Sequence, residues 1–371
     1  MTMDCSYTNW ISNKEYIRRF REKVRLQRIP LSGGIDITHR CNLKCVHCFV
    51  GPQDNIGENG DKEMDTQRVL SIVDEITDAG CLNFLITGGE PLLRKDFADI
   101  YRYAKEKGIL VTVFTNATLI TEKIAGLFAE LPPQTVEISL YGASEATYES
   151  ITGVAGSFSK CLKGISLLLV HGIKDVRLKT VLMTLNNHEF YEIENMAKKF
   201  GLKFRFDAGL FPRFNGDKSP LNLRVPAEEA VEKEFSDHKR LQGMKDFFER
   251  YKETHMPETL YNCGAGLTYF HIDPYGMLQP CLMSKGIKYD LQKGSFMDGW
   301  NSVINLITDK KAKAGYLCNG CEKRAICSTC PAFFNLENGS EEVHSDYLCA
   351  IGGLRYDNIN KNVIAGGQYG N

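Results

Sequence analysis

The sequence predicts an α/β protein: a partial (β/α)6 barrel that stays open, followed by a small C-terminal domain built around cysteines. Three observations predict it. Between Gly34 and Ala208, strand-like and helix-like stretches alternate six times, which implies βαβ units and a parallel sheet. Six units fall short of the eight of a closed barrel. After Tyr261 the strands are short, glycine is frequent and seven of the thirteen cysteines occur, so that region is organised by metal more than by an apolar core.

The elements follow in order. Residues 1–33 form a basic segment with a helix over Asn13–Arg28; residues 1–34 carry seven Lys/Arg against three Asp/Glu. The segment suits a solvated helix packed on the body, or one that meets an acidic part of a substrate. The barrel spans 34–210. GIDIT (34–38) is its first strand, followed by an amphipathic helix near Thr66–Ala79. LNFLIT (82–87), ILVTVFT (109–115), TVEISL (135–140), DVRLKTVLM (175–183) and LKFRFDA (202–208) supply the other strands. The helices between them fall near 96–107, 121–129, 158–171 and 189–200, where apolar residues recur at helical spacing. Residues 211–260 are a linker with a polar helical stretch from Pro226 to Thr254. The cysteine-rich domain covers 261–352, and 353–371 is a tail.

Bulk properties exclude several classes. A net charge of −1 gives no global field for nucleic acid or membrane. No stretch approaches the ~20 apolar residues of a membrane span. The opening MTMDCSYTNW lacks a basic-then-apolar signal pattern, which points to a cytoplasmic protein. In that reducing compartment clustered cysteines mark metal or redox sites rather than disulfides.

CNLKCVHCF places Cys41, Cys45 and Cys48 in a C-x3-C-x2-C spacing just after the first strand. Three thiolates so close can hold three irons of a [4Fe–4S] cube and leave the fourth iron for a substrate or cofactor; electron-transfer clusters normally have four protein ligands. Catalytic zinc rarely takes three cysteines from one short loop. The second strand ends in TGGEP. There Gly88 and Gly89 admit close backbone approach, and Glu90 can accept from an ammonium.

On these motifs the chain resembles the radical S-adenosylmethionine (SAM) superfamily. The resemblance implies a [4Fe–4S] cluster that binds SAM and, after one-electron reduction by a donor such as a flavodoxin or ferredoxin, cleaves it to a 5′-deoxyadenosyl radical. It implies SAM contacts from Gly88, Gly89 and Glu90, and from Asn116, Ser139 and Lys179 at or near further strand ends. His47 stands where the family places an aromatic residue beside the adenine. One departure is visible: Ile151 and Thr152 fall where the family often has an arginine for the SAM carboxylate.

The C-terminal region also follows a pattern. Cys263-x12-Gly276-x4-Cys281 is followed by Cys318-x2-Cys321-x5-Cys327-x2-Cys330 and by Cys349. This resembles the SPASM extension of radical SAM enzymes, with two residues rather than three between Cys327 and Cys330. The resemblance implies two auxiliary [4Fe–4S] clusters. Cys318, Cys321, Cys327 and Cys349 would hold the outer one. Cys263, Cys281 and Cys330 would hold the inner one, whose fourth iron is open or takes another ligand. Zinc ribbons separate their paired cysteines by about 15–20 residues, against five here. Cys81 and Cys161 read as packing residues; Cys5 remains a candidate fourth ligand.

Auxiliary clusters suit net oxidation, because an electron must leave after hydrogen abstraction. The resemblance therefore implies oxidative modification of a peptide: a crosslink, thioether or dehydrogenation, as in maturation of ribosomally made peptides. Leu282 follows Cys281 where sulfatase-maturing relatives carry an acidic base. The 34 residues before the barrel are too few for a leader-binding module of about 80 residues, so a separate protein or the barrel itself would hold a leader. Asp207 and Tyr141 fall where substrate would meet the radical. Radical oxidation of a small molecule, porphyrin or sugar, is the alternative. A plain iron–sulfur carrier would leave GGEP and the three-cysteine loop without a use.

Overall fold

The computed structural model describes residues 11–52, 62–252, 259–308 and 310–366. Helix α1 (Asn13–Leu26) opens with Ser12 accepting from Glu15 N and buries only Val24. Six βα units follow: β1 (Ser32–Asp36) and α2 (Thr66–Asp78); β2 (Asn83–Thr87) and α3 (Phe97–Glu106); β3 (Leu110–Thr115) and α4 (Glu122–Glu130); β4 (Thr135–Ser139) with α5 (Glu145–Thr152) and α6 (Ser157–Val170); β5 (Val176–Val181) and α7 (Phe190–Lys199); then β6 (Lys203–Asp207). The expected helix from Pro226 divides into α8 (Ala227–Phe235) and α9 (His238–Tyr251). Asp237 accepts from Arg240 N and so starts a new helix where one was expected to continue. Beyond lie β7 (Tyr269–Ile272), β8 (Met277–Gln279), β9 (Tyr289–Asp290), α10 (Phe296–Thr308), α11 (Pro331–Asn338) and α12 (Asp346–Gly366).

The strands form one sheet in the order β6-β5-β4-β3-β2-β1-β7-β8-β9. β1 to β6 pair parallel with sequential neighbours, as six βα units require. β7 adds parallel to the other side of β1, in the register Gly34↔His271, and β8 and β9 continue antiparallel. The sheet thus crosses the division expected at 261. The reason lies in packing. A Cβ on Gly33 would sit 2.1 Å from the Phe270 ring, so glycine there makes room for that ring. Phe270 then packs on Phe84, Phe296 and Trp300, all buried. Trp300 Nε1 donates to Arg28 O at 2.9 Å, tying α10 to the chain just after α1.

One continuous core fills the space between the sheet and its helices, from Ile35 and Val69 through Phe128 and Leu178 to Trp300. Phe270, Phe296 and Trp300 belong to that core, while the apolar clusters around Cys281, Cys318 and Cys330 are small and include those partly buried cysteines. Among the described residues no single helix is long and apolar enough to cross a membrane.

Candidate active site

The loop after β1 carries Cys41, Cys45 and Cys48. α5, which the sequence reading did not anticipate, fixes that loop: Lys44 N donates to Thr152 O at 2.8 Å and Val46 N to Ile151 O at 3.0 Å. Gly153 closes α5 at φ +68, and a Cβ there would come within 3.1 Å of Lys44 O. Ile151 and Thr152, noted for lacking an arginine, therefore hold the cysteine loop through their carbonyls.

The three thiols share a cavity of about 340 Å³ at the carboxyl end of the strands. Gly88, Gly89, Asn116, Ser139, Lys179 and His47 line it too, as do Tyr141 and Asp207. The cavity gathers these residues from five strand ends and the cysteine loop. Burial pushes the Cys41 thiol up to about 12 and raises Cys45 further, each helped by neighbouring thiols. Thiolates here need a positive partner, and a metal supplies one.

Glu90 departs from expectation. It is fully buried and does not line the cavity. Its carboxylate accepts from Leu92 N at 3.1 Å, Thr115 Oγ1 at 2.8 Å and Asn116 N at 2.7 Å. Burial pushes it up to about 7 against those three donors. Glu90 thus braces β2 against β3, and the glycines before it form the lining. Gly88 has φ +138, and a Cβ would meet Thr38 O at 2.1 Å. Only glycine fits that approach.

Asn116 donates through Nδ2 to Asn42 Oδ1 at 3.0 Å and reaches Cys41 Sγ at 3.8 Å. Ser139 pairs in register with Lys179. The Lys179 Nζ lies 3.5 Å from the Phe114 ring centroid. Burial, with nearby Arg205, lowers its pKa to about 7. His47 meets Tyr141 edge-on at 4.6 Å, and its buried Nδ1 has no hydrogen-bond partner. Burial, with Arg213 and Lys179, lowers it to about 4, so the ring is a neutral planar wall.

The sequence reading passed over a buried group on the side of β7. Asp36 Oδ2 lies 3.3 Å from the Nε2 atoms of both His39 and His271. Burial raises Asp36, but the two histidines outweigh it and hold the carboxyl well below its usual range. His271 is 1 % exposed, and neither ring nitrogen has a well-aligned hydrogen bond. Asp36, His271 and Tyr269 line the cavity, and Leu282 joins them beside Cys281. No local signal could have joined Asp36 to His271, because 235 residues separate them; only the β1–β7 register does.

The C-terminal cysteines form two neighbourhoods. Cys318, Cys321, Cys327 and Cys349 line one small cavity with Phe334 and Leu348. Cys330 and Cys263 both raise the Cys281 thiol, which burial pushes up to about 11, and Cys263 raises Cys330. Cys330 is the N-cap of α11, with Pro331 at its first position. Among the described residues no three Cys, His, Asp or Glu side chains converge on a point as one metal ion requires. Cys41, Cys45 and Cys48 share one cavity and Cys318, Cys321, Cys327 and Cys349 another. Cys81 and Cys161 are buried in the core, and Cys5 lies outside the described residues.

Residues 35–200 match the family model described as the radical SAM superfamily. The AdoMet-dependent heme synthase of Methanosarcina barkeri is 25% identical over 318 residues, covering 80% of this chain and 90% of that protein. The antilisterial bacteriocin subtilosin biosynthesis protein AlbA of Bacillus subtilis is 27% identical over 333 residues, covering 81% and 69%. Among solved structures, Streptococcus suis SuiB bound to precursor peptide SuiA superposes with a TM-score of 0.68 at 20% identity, covering 93% of this chain and 83% of that one.

Proposed function

We propose that this chain, whose residues 35–200 match the radical SAM superfamily model, works as a radical SAM enzyme with a SPASM extension. Its reaction is oxidative modification of a peptide, forming a crosslink, a thioether or a double bond. The carrying observation is one cavity that joins the three-cysteine loop to strand-end polar groups and borders the C-terminal cysteines through Leu282. A relative described as a bacteriocin biosynthesis protein supports a peptide substrate.

With the cluster and SAM bound, one-electron reductive cleavage supplies a 5′-deoxyadenosyl radical that takes a hydrogen atom from substrate. Cys41, Cys45 and Cys48 would hold the cluster that binds SAM. The Gly88-Gly89 backbone, Asn116, Ser139 and Lys179 would bind SAM, and His47 would wall the adenine side. Tyr141, Leu43 and Phe211 line the same cavity with apolar surface. Cys318, Cys321, Cys327 and Cys349 would hold an outer auxiliary cluster, and Cys263, Cys281 and Cys330 an inner one. Residues 261–352 act as the auxiliary-cluster unit although β7 to β9 belong to the barrel sheet. Oxidation also releases a proton. Leu282, where sulfatase-maturing relatives carry an acidic base, cannot take it. A flavodoxin or ferredoxin supplies the electron, a leader is held by a separate protein or the barrel, and the enzyme works in the cytoplasm.

The test is a reduced, cluster-loaded sample with SAM and a candidate peptide. A peptide lighter by two hydrogens, with one 5′-deoxyadenosine per event, supports the reading. No 5′-deoxyadenosine under any condition overturns it. The heme synthase relative favours a second reading, oxidation of a porphyrin; turnover of a porphyrin with inert peptides would select it.

A further inference from the structure

The site cavity, at about 340 Å³, is at the small end of ligand pockets, which run from about 300 to 1,000 Å³. Most of a peptide must therefore lie elsewhere. A second cleft of about 1010 Å³ runs along β6. β6 ends the sheet, and β5 is its one strand partner among the described residues. Alone among β1 to β6, it contains no buried residue. An open edge of this kind is a template for another strand, and proteins normally cover it.

The cleft is walled by Phe204, Arg205 and Phe206 of β6, Arg21 and Arg25 of α1, and Phe247 of α9. Its charge is one-sided. Arg205, Arg240 and Arg355 are matched by Glu137, Glu194 and Glu234. Arg21, Arg25 and Arg324 also line it, and no carboxylate pairs with them among the described residues. Phe247 is 48 % exposed and pairs with Tyr251 at 4.7 Å, adding apolar surface.

We propose that this cleft binds an acidic, extended segment of the peptide substrate, which adds as a strand to the open edge of β6. The proposal rests on the peptide reading above. Backbone hydrogen bonds would give affinity that tolerates sequence, and the guanidinium groups would select carboxylates. The strand also sets direction. Its five residues span about 17 Å and end at Asp207, which lines the cavity of the cysteine triad. A segment laid along β6 therefore carries the next part of the chain to the cavity mouth.

The experiment uses the full, cluster-loaded chain and a fluorescein-labelled twelve-residue peptide of alternating Glu and Thr, read by anisotropy at low salt. The acidic peptide is expected to bind at least tenfold more tightly than its Lys/Thr counterpart. The double variant Arg21→Glu/Arg25→Glu should weaken it at least tenfold while still forming 5′-deoxyadenosine from SAM alone. N-methylation of one alternate set of peptide nitrogens should abolish binding, and of the other set should spare it. Equal binding of both peptides, indifference to the double variant, or equal effects of the two methylation patterns would overturn the proposal. So would a dimer through β6 that excludes the peptide. A peptide modified with unchanged KM by the double variant would sink the cleft and leave the function standing. Binding without modification of any peptide would do the reverse.

Discussion

The barrel and the cysteine-rich C-terminal region hold their thiols in different ways. In the barrel, the Cys41–Cys48 loop rests on a scaffold completed without it: a continuous apolar core from Ile35 to Trp300 and a carbonyl cradle from α5. Past Tyr261 the cysteines are themselves part of the small apolar clusters, as Cys281, Cys318 and Cys330 are. Cys263, Cys321 and Cys349 are exposed. The difference teaches where metal is chemistry and where it is also architecture. The core that stabilises the barrel also takes in Phe270, Phe296 and Trp300, whereas the cysteines from Cys318 onward sit only against small apolar clusters, too thin to hold that part alone.

The largest effect should come from the barrel loop. Changing Cys41, Cys45 and Cys48 together to Ala should lower 5′-deoxyadenosine formation at least about 1,000-fold. The Tm should move by no more than about 2 °C, since the loop is held by the Ile151 and Thr152 carbonyls and not by its thiols. A large loss of stability would erase the contrast between the regions. Next, Phe270→Ala should cost about 3–5 kcal/mol in denaturant unfolding, because Phe270 joins β7 to the barrel core under Gly33. Third, if the proposed outer cluster is one of three, Cys318→Ala/Cys327→Ala should remove about one third of the bound iron. Proteolysis should then speed up within 310–350 while the barrel fragment persists.

Two smaller tests sharpen the reading of the barrel. Glu90→Ala should cost about 1–3 kcal/mol by orphaning Thr115 Oγ1 and Asn116 N, whereas Glu90→Gln should keep SAM affinity within about threefold. A tenfold or greater loss in Glu90→Gln would restore the expected ammonium contact. The smallest effect concerns Lys179. With its pKa lowered to about 7, the free ammonium is lost as pH rises through neutrality. SAM binding without reductant should weaken by about threefold from pH 6 to 8 in the parent and stay flat in Lys179→Met. The linked stability runs the other way. Between about 7 and the unfolded value near 10.4 the unfolded chain binds the extra proton, so Lys179 contributes stability as pH rises.

Much of this was legible in the chain itself. Strand and helix periods located β1 to β6 with their helices to within a few residues, because alternation of period 2 and 3.6 is a local property. The C-x3-C-x2-C loop and Gly88-Gly89 fall on one cavity, whereas the division of the C-terminal cysteines into two sets was implied by the family resemblance alone. α5 was missed because EATYESIT, the eight residues from Glu145 to Thr152, has a weak apolar face. The split at Ser236-Asp237 was missed because a polar helical stretch hides its own cap.

The sequence by itself determined which groups could do chemistry and on which strand ends they stand. Tertiary structure decided two further things. It turned Glu90 inward, because a carboxylate at a strand end goes to the backbone donors around it, here Asn116 N just past β3 and Leu92 N of its own turn. It also laid a four-residue strand, β7, against β1 and so brought His271 to Asp36. A strand that short carries no periodic signal of its own. Its partner is chosen by a free edge and by the space a glycine leaves, and neither exists until the barrel has formed.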